Sequence, residues 1–316
     1  MASIVDDGAT RRVLPVVGKS AQQNLIDLAK LRGIDMAILP ADVLDTARQQ
    51  GQAPGAEGPF TYVTRLGNRE LHILARPEIK SVSDLANQKV NLDVRGSATA
   101  TTAAKLFDLL NVKVSPTNDN QAIALEKLRK GQIAAVALVA GKPAPVFQSI
   151  GQNEGLHFLP VPLETAVINA YEPTALESSD YPNLVAQGQH VDTIAVGTVL
   201  AVANLQPGST RYRNAADFVE AFFTGFPALL EPGHDPKWHD INLAAVVPGW
   251  TRFPPAQRWL DQNASPAAKV SQTDLQSQFS RFIDTRQKAL GGPGMSSQQK
   301  QELFQQFEHW QAGQAR

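Results

Sequence analysis

The chain has 316 residues, of which 43% are hydrophobic and 19% charged, with 29 Lys and Arg against 30 Asp and Glu. That length allows two lobes with separate cores, and the composition excludes a disordered chain. The even charge balance does not point to a nucleic acid or other polyanion as partner. The sequence contains no cysteine, which excludes disulfides, a thiolate nucleophile and a Cys-ligated zinc. Its longest apolar run, residues 194–202, is strand-sized and far short of the roughly 20 residues of a membrane helix.

The first two thirds alternate strand and helix patterns. Residues 12–17 (RVLPVV) read as a strand, and 21–31 as a helix with Leu25, Leu28, Ala29 and Leu31 inward. Residues 36–39 are a second strand and 42–50 a short helix, ended by the Gly- and Pro-rich stretch 51–59. Residues 71–75 are a third strand, and 81–85 a helical turn with Ser81 as cap and Asp84 at the N3 position. Val90, Leu92 and Val94 then alternate as in a strand, a turn follows at Arg95-Gly96, and Leu106, Phe107, Leu109 and Leu110 return at helical spacing.

Residues 120–130 form a helix stopped by Gly131, and 133–139 a fully apolar strand suited to a sheet covered on both faces. The turn at 141–145 opens another helix, 156–161 is a strand, 163–190 is irregular, and 191–203 is a long apolar strand. Helices follow at 214–230, 272–290 and 297–314. Strands separated by helices of this length predict parallel sheets of βαβ units. A long strand after a complete α/β unit, followed by helices, predicts a chain that crosses into a second lobe and later returns. The expected division is 1–87 with 199–316 in the first lobe and 88–198 in the second.

In open α/β sheets, ligands bind outside the carboxyl ends of the strands. Three polar or Gly-rich turns lie at such ends, at 40–42, 96–99 and 141–145. Gly96, Ser97, Thr99, Thr101 and Thr102 open a helix whose free N–H groups and partial positive charge attract an anion. Hydroxyls there either cap the helix or bond a ligand's carboxylate. Asp42 is either an N-cap or a partner for a ligand's amino group. Arg95 either grips a carboxylate or is a solvated surface group. Lys142 opposes the dipole of the helix it begins, which suits a role with an anion. Tyr171, in VINAYEP, either lines the cleft or packs. Trp238, Trp250, Phe253 and Trp259 read as packing.

Histidines 72, 157, 190, 234, 239 and 309 show no paired ligand spacing beyond His234 and His239, five apart in a proline-containing loop. No GxSxG, Walker A or Rossmann fingerprint occurs. The chain therefore reads as a binder, not an enzyme, and needs no cofactor or metal.

Several segments together resemble the TAXI-type solute receptors of TRAP transporters, which have the type 2 periplasmic binding protein fold. They are NLIDLAKLRGIDMAILPADVLD (24–45), ELHILARPEIKSVSDLANQKVNLDVRGSATATTA (70–103) and ALEKLRKGQIAAVALVAGKPAP (124–145). GLHFLPVP (155–162), RYRNAADFVEAFF (211–223) and VPGWTRFPPAQRWLD (247–261) complete the set. The resemblance implies a two-lobed α/β Venus flytrap with a C-terminal helical extension. It also implies a periplasmic or membrane-anchored extracytoplasmic receptor that closes on a small, usually carboxylate-bearing solute and hands it to transporter subunits. A sensor or scaffold that keeps the fold without transporting is the alternative. The family's cleft turns map onto Gly96-Ser97-Ala98-Thr99 and Ala41-Asp42. Ala98 replaces a second glycine, and Pro40-Ala41-Asp42 stands where Gln-Ser-Asp is common.

Family members begin with a strand, a Gly/Thr/Tyr-rich loop and a helix ahead of the segment matching residues 12–17. Here residues 4–8 resemble the end of that helix. A truncated or misassigned start with an export leader upstream is the expectation. A strand supplied by another chain and a rearranged first lobe are the alternatives.

Overall fold

The computed structural model describes residues 1–49, 60–247 and 249–263. Its strands are β1 (Met36–Pro40), β2 (Phe60–Ala75), β3 (Lys89–Asn91), β4 (Ser115–Thr117), β5 (Ala135–Ala140), β6 (His157–Phe158), β7 (Glu172–Glu177) and β8 (His190–Ala203). The α-helices are α1 (Ala2–Val5), α2 (Ala21–Lys30), α3 (Ala41–Gln49), α4 (Ala98–Leu109), α5 (Gln121–Arg129), α6 (Pro145–Gln148), α7 (Thr165–Ala170), α8 (Thr210–Gly225) and α9 (Pro254–Asn263). One sheet runs β1-β8-β2-β5-β3-β4, with β6 beside β2 and β7 beside β8.

Two long strands carry the sheet from one half of the molecule to the other. From Phe60 to Glu70, β2 pairs with Ala203 to Ala195 of β8. From Glu70 onward it pairs with β5 instead, while β8 before Ala195 pairs with β7. Glu70 and Ala195 face each other, so partners change at a single rung. On one side of it lies a first core of Leu25, Leu28, Leu39, Leu44, Val63, Val199, Phe222 and their neighbours. On the other side, both faces of the sheet are covered. Leu71, Ile73, Val90, Leu106 and Phe107 fill one face, and Leu74, Leu125, Leu128, Phe147 and Phe158 the other. The two-lobed α/β class expected from the chain is the observed one. Ile79, Val82 and Leu85 pack in the second core, which puts the outward crossing near residue 70 and not at 87. The return lies between Val196, in the second core, and Val199, in the first.

Strand β5 is apolar throughout because it is covered twice. Ala135, Ala137 and Val139 enter one core and Val136 the other. Ser20, Ser97, Asn120 and Ser209 start α2, α4, α5 and α8, each accepting a hydrogen bond from the N–H three residues on. Asp84 accepts from the N–H groups of Lys80 and Ser81, which tightens the turn Val82–Leu85. The late aromatics pack as expected. Trp250 stacks on Phe60, Trp259 meets Phe223 edge-on, Trp238 meets Phe226, and Phe253 is buried. Arg252 binds the return segment to β2, its guanidinium donating to the carbonyls of Val63, Leu243, Ala244 and Ala245.

Several sequence expectations are corrected. Residues 12–17 are not a strand. Leu14, Val16 and Val17 are 85%, 66% and 100% exposed, and the N–H groups of Arg11 and Val13 are taken by the carboxylates of Asp7 and Asp6. Side chains thus supply what a neighbouring strand would otherwise provide. The sheet is mixed. Only β3 pairs in parallel, with β4 and β5, because the crossing strands run antiparallel to each other and to their other partners. Residues 163–190 hold α7 and β7, and residues 60–70 the first part of β2. Ala29 and Leu31 face outward. The loop expected at 51–59 and the helices at 272–290 and 297–314 lie outside the described residues.

Candidate functional site

The two cores meet along a seam built from helix N-termini. Strand β1 ends at Pro40, opposite Thr198, and the chain enters α3 at once, so Asp42 falls inside the first turn. Val43, Leu44 and Ala47 anchor that helix in the first core. Asp42 faces the second core and is only 4% exposed. Its Oδ2 accepts a hydrogen bond from Thr102 Oγ1 of α4 at 2.5 Å and another from the Tyr171 hydroxyl at 3.3 Å. Its Oδ1 is buried without a hydrogen-bond partner.

The capping alternative for Asp42 is therefore not realised. Ser20, Ser97, Asn120 and Ser209 each close on a backbone N–H, whereas Asp42 uses one oxygen to span the seam and leaves the other idle. Burial is the dominant influence on this carboxyl and raises its pKa. The Thr102 hydroxyl, the charge of Lys105, the Tyr171 hydroxyl and the nearby Val43 N–H act in the opposite direction. An enclosed carboxylate with one unsatisfied oxygen costs on the order of 1–3 kcal/mol. Burial, and then the charge of Asp42, raise the Tyr171 phenol as well. Lys105 Nζ stands 5.3 Å from the Tyr171 ring centroid, a favourable cation–π distance.

The turn before α4 completes the seam. Gly96 has φ +77°, and its carbonyl accepts from the Gln22 N–H at the start of α2 at 3.2 Å. A Cβ there would strain the backbone and lie 3.2 Å from Ser20 Oγ. Ser97 Oγ accepts from the Ala100 N–H at 3.1 Å, and Thr99 Oγ1 from the Val139 N–H at 2.9 Å. These hydroxyls are engaged within the second half, whereas Thr102 crosses. Arg95 is exposed at the rim of the turn.

Lys142 stands apart. Its Nζ donates to the Ala175 carbonyl at 2.6 Å and lies 3.2 Å from Asp180 Oδ2. Its backbone N–H donates to Glu70 Oε2 at 3.0 Å, at the rung where the strands change partners. The Lys142–Pro143 bond is cis. Lys237 Nζ also reaches Glu70, at 3.4 Å. Nearby, Arg65 and Asn68 of β2 bind the Glu172 carboxylate of β7.

Of the seven residues singled out from the sequence, the fold joins Asp42 directly to Tyr171. It places Gly96, Ser97 and Thr99 on the same seam, less than two turns along α4 from Thr102, and leaves Arg95 at the rim. Lys142 goes to the crossing. Sequence reasoning passed over Lys105 and Glu70, and it named Thr102 only as one hydroxyl among several. The i, i+3 spacing of Thr102 and Lys105, which puts them on one helix face, was the available signal. Among the described residues no group of three or more His, Cys, Asp or Glu side chains is placed to hold a metal ion. No helix among them is long and apolar enough to cross a membrane.

No curated protein matches the chain. Among solved structures it is similar to the alkanesulfonate-binding protein SsuA from Xanthomonas axonopodis pv. citri bound to MOPS, with 17% identity, 92% of this chain and 88% of that chain covered, and a TM-score of 0.44. It is similar also to a TctC solute binding protein from Polaromonas, with 18% identity, 72% and 75% covered, and a TM-score of 0.40. A third is the periplasmic binding protein BugD, with 12% identity, 82% and 95% covered, and a TM-score of 0.43. The sequence profile of the NMT1-like family matches residues 8–223.

Proposed function

The chain belongs to the NMT1-like family, and on that premise we propose that it is an extracytoplasmic solute-binding receptor, not an enzyme. It captures a small carboxylate or acidic amino acid between its lobes and delivers it to a membrane transporter of the TRAP type. The reading rests on one observation: Asp42 is held by α3 of the first lobe, yet its bonding partners, Thr102 and Tyr171, belong to the second. Closing the lobes encloses a carboxylate that neither lobe satisfies alone, as expected where a solute fills the remaining valence. The N-terminus of α4, with Gly96, Ser97 and Thr99, supplies the partial positive charge for a solute's anionic group. Arg95 guards the rim. Lys142 supports the crossing strands through Glu70 and Asp180 and so acts on closure.

Binding to the folded state raises stability by RT ln(1 + [L]/Kd), about 2.7 kcal/mol at a hundredfold excess over Kd. Thermal unfolding of the full chain with a panel of organic acids and amino acids tests the reading. At least one compound is expected to raise Tm by several degrees in a concentration-dependent way.

The sensor or scaffold reading has its own observation in favour. The Ser97 and Thr99 hydroxyls and the Lys142 ammonium are all engaged by internal partners. A flat Tm across the whole panel would decide for it.

A further inference from the structure

We propose that the solute carries an ammonium group, bound in the seam by Asp42 Oδ1 with the Tyr171 hydroxyl as second acceptor. The inference rests on the receptor reading above and narrows its solute class, a small carboxylate or acidic amino acid, to solutes that carry an amine.

The argument starts from valence. A carboxylate offers about four lone-pair positions. At Asp42 the two hydrogen bonds from the opposite lobe both fall on Oδ2, and Oδ1 is enclosed with none. Lys105 is the cation nearest in influence, yet it lies over the Tyr171 ring and makes no ion pair with Asp42 among the described contacts. A cation delivered from outside meets an oxygen waiting for it. An ammonium has three N–H donors and no acceptor. Oδ1 takes one. Tyr171 Oη and Thr102 Oγ1, which give their own protons to Oδ2, keep lone pairs for the others. The aromatic face of Tyr171 also favours a cation, as the position of Lys105 shows.

A solute with only anionic groups would set its charge against Asp42, with only the Lys105 charge and the partial charge of the α4 N-terminus to offset the repulsion. A solute with an ammonium at Asp42 and a carboxylate toward the Gly96–Thr99 turn matches both ends. A site built to bond a donor also rejects analogues lacking it, because its acceptor is then left buried and unpaired.

The test uses matched pairs on the full chain by isothermal titration and thermal unfolding: L-glutamate against glutarate, 4-aminobutyrate against butyrate, and each proteinogenic amino acid against its deaminated acid. An amine-bearing member is expected to bind at least about 100-fold more tightly than its partner. Asp42→Asn is expected to lose that binding about 100-fold, and Tyr171→Phe, which tests the same contacts without changing charge, about 10-fold. Circular dichroism checks that both variants fold. Equal binding of glutarate or butyrate and their amine counterparts would overturn the ammonium while leaving the receptor intact. Undiminished binding by Asp42→Asn would do the same. If nothing on the panel binds the natural chain, the receptor reading falls and takes this proposal with it.

Discussion

His72 and Asp42 are both enclosed, at 0% and 4% exposure, yet their polar atoms fare differently. His72 lies on the inner part of β2, its ring 5.4 to 5.6 Å from those of Phe147, Phe158 and Tyr181. The Leu138 carbonyl, 3.2 Å from Nδ1, only accepts, so Nδ1 carries the proton. Nε2 then accepts from the Tyr181 hydroxyl at 2.6 Å, and that hydroxyl accepts in turn from the Ala144 N–H. Every polar atom in this chain of bonds is used. Burial, the dominant influence, pulls the imidazole down to about 4, so it is neutral at physiological pH. Asp42 has one oxygen bonded and one idle. A closed network surrounded by aromatic rings is packing, whereas Asp42, enclosed and half satisfied where the two cores meet, is where we propose that a solute binds.

The strongest way to break this contrast is to remove the ring. His72→Ala leaves a cavity among three aromatic rings and strands the Tyr181 hydroxyl. A loss of about 3–5 kcal/mol is expected in urea denaturation. A loss below about 1 kcal/mol would mean the network is not the packing unit described.

The same pair of proteins sharpens the contrast through pH. A histidine whose folded pKa lies below its unfolded value of about 6.5 binds fewer protons folded than unfolded. Its contribution is present above that value and is lost as pH falls toward 4, on the order of 3 kcal/mol in all. The natural chain should therefore weaken across this window more steeply than His72→Ala, and parallel curves would refute the assignment.

Thr102→Val takes one of the two donors from the Asp42 carboxylate, and about 2 kcal/mol should be lost. In an Asp42→Asn background the same change should cost less, which a double-mutant cycle measures.

Asp42→Asn is expected to have the opposite sign. With no ligand present it should gain about 1 kcal/mol near neutral pH, because a buried carboxylate with an unsatisfied oxygen is removed. The raised pKa fixes the pH trend. The stabilising contribution of protonated Asp42 is fully present below the unfolded value near 3.9 and is lost as pH rises through the folded pKa. The advantage of the amide should thus shrink as pH falls toward 4. A growing advantage would contradict the burial of Asp42.

Residues 12–17 and 135–140 show how far pattern reading goes. RVLPVV and AVALVA are both short apolar runs, and both suggest a strand. The second is one, because β2 and β3 flank it and two cores cover its faces. The first has no strand beside it among the described residues and lies largely exposed. Periodicity reports that a segment suits a sheet, but an edge with free N–H and C=O groups must also be available. The antiparallel pairings escaped for a related reason. Element order along the chain implied βαβ units, while direction was decided by two strands long enough to serve both lobes.

The chain by itself determined the α/β class, the crossing strand β8, the doubly covered strand β5 and the helix begun by Ser97, because each depends on local periodicity or on a side chain within a few residues of its partner. It also marked Asp42 and Tyr171 as candidate cleft residues, each with a plainer capping or packing alternative, without a link between them. Tertiary structure alone joined these two residues, 129 positions apart in the chain, fixed Lys142 on Asp180 and left Asp42 Oδ1 idle. Hydrogen-bond satisfaction is a property of packed surroundings, and a single carboxylate reads the same in sequence whether its oxygens end up paired or alone.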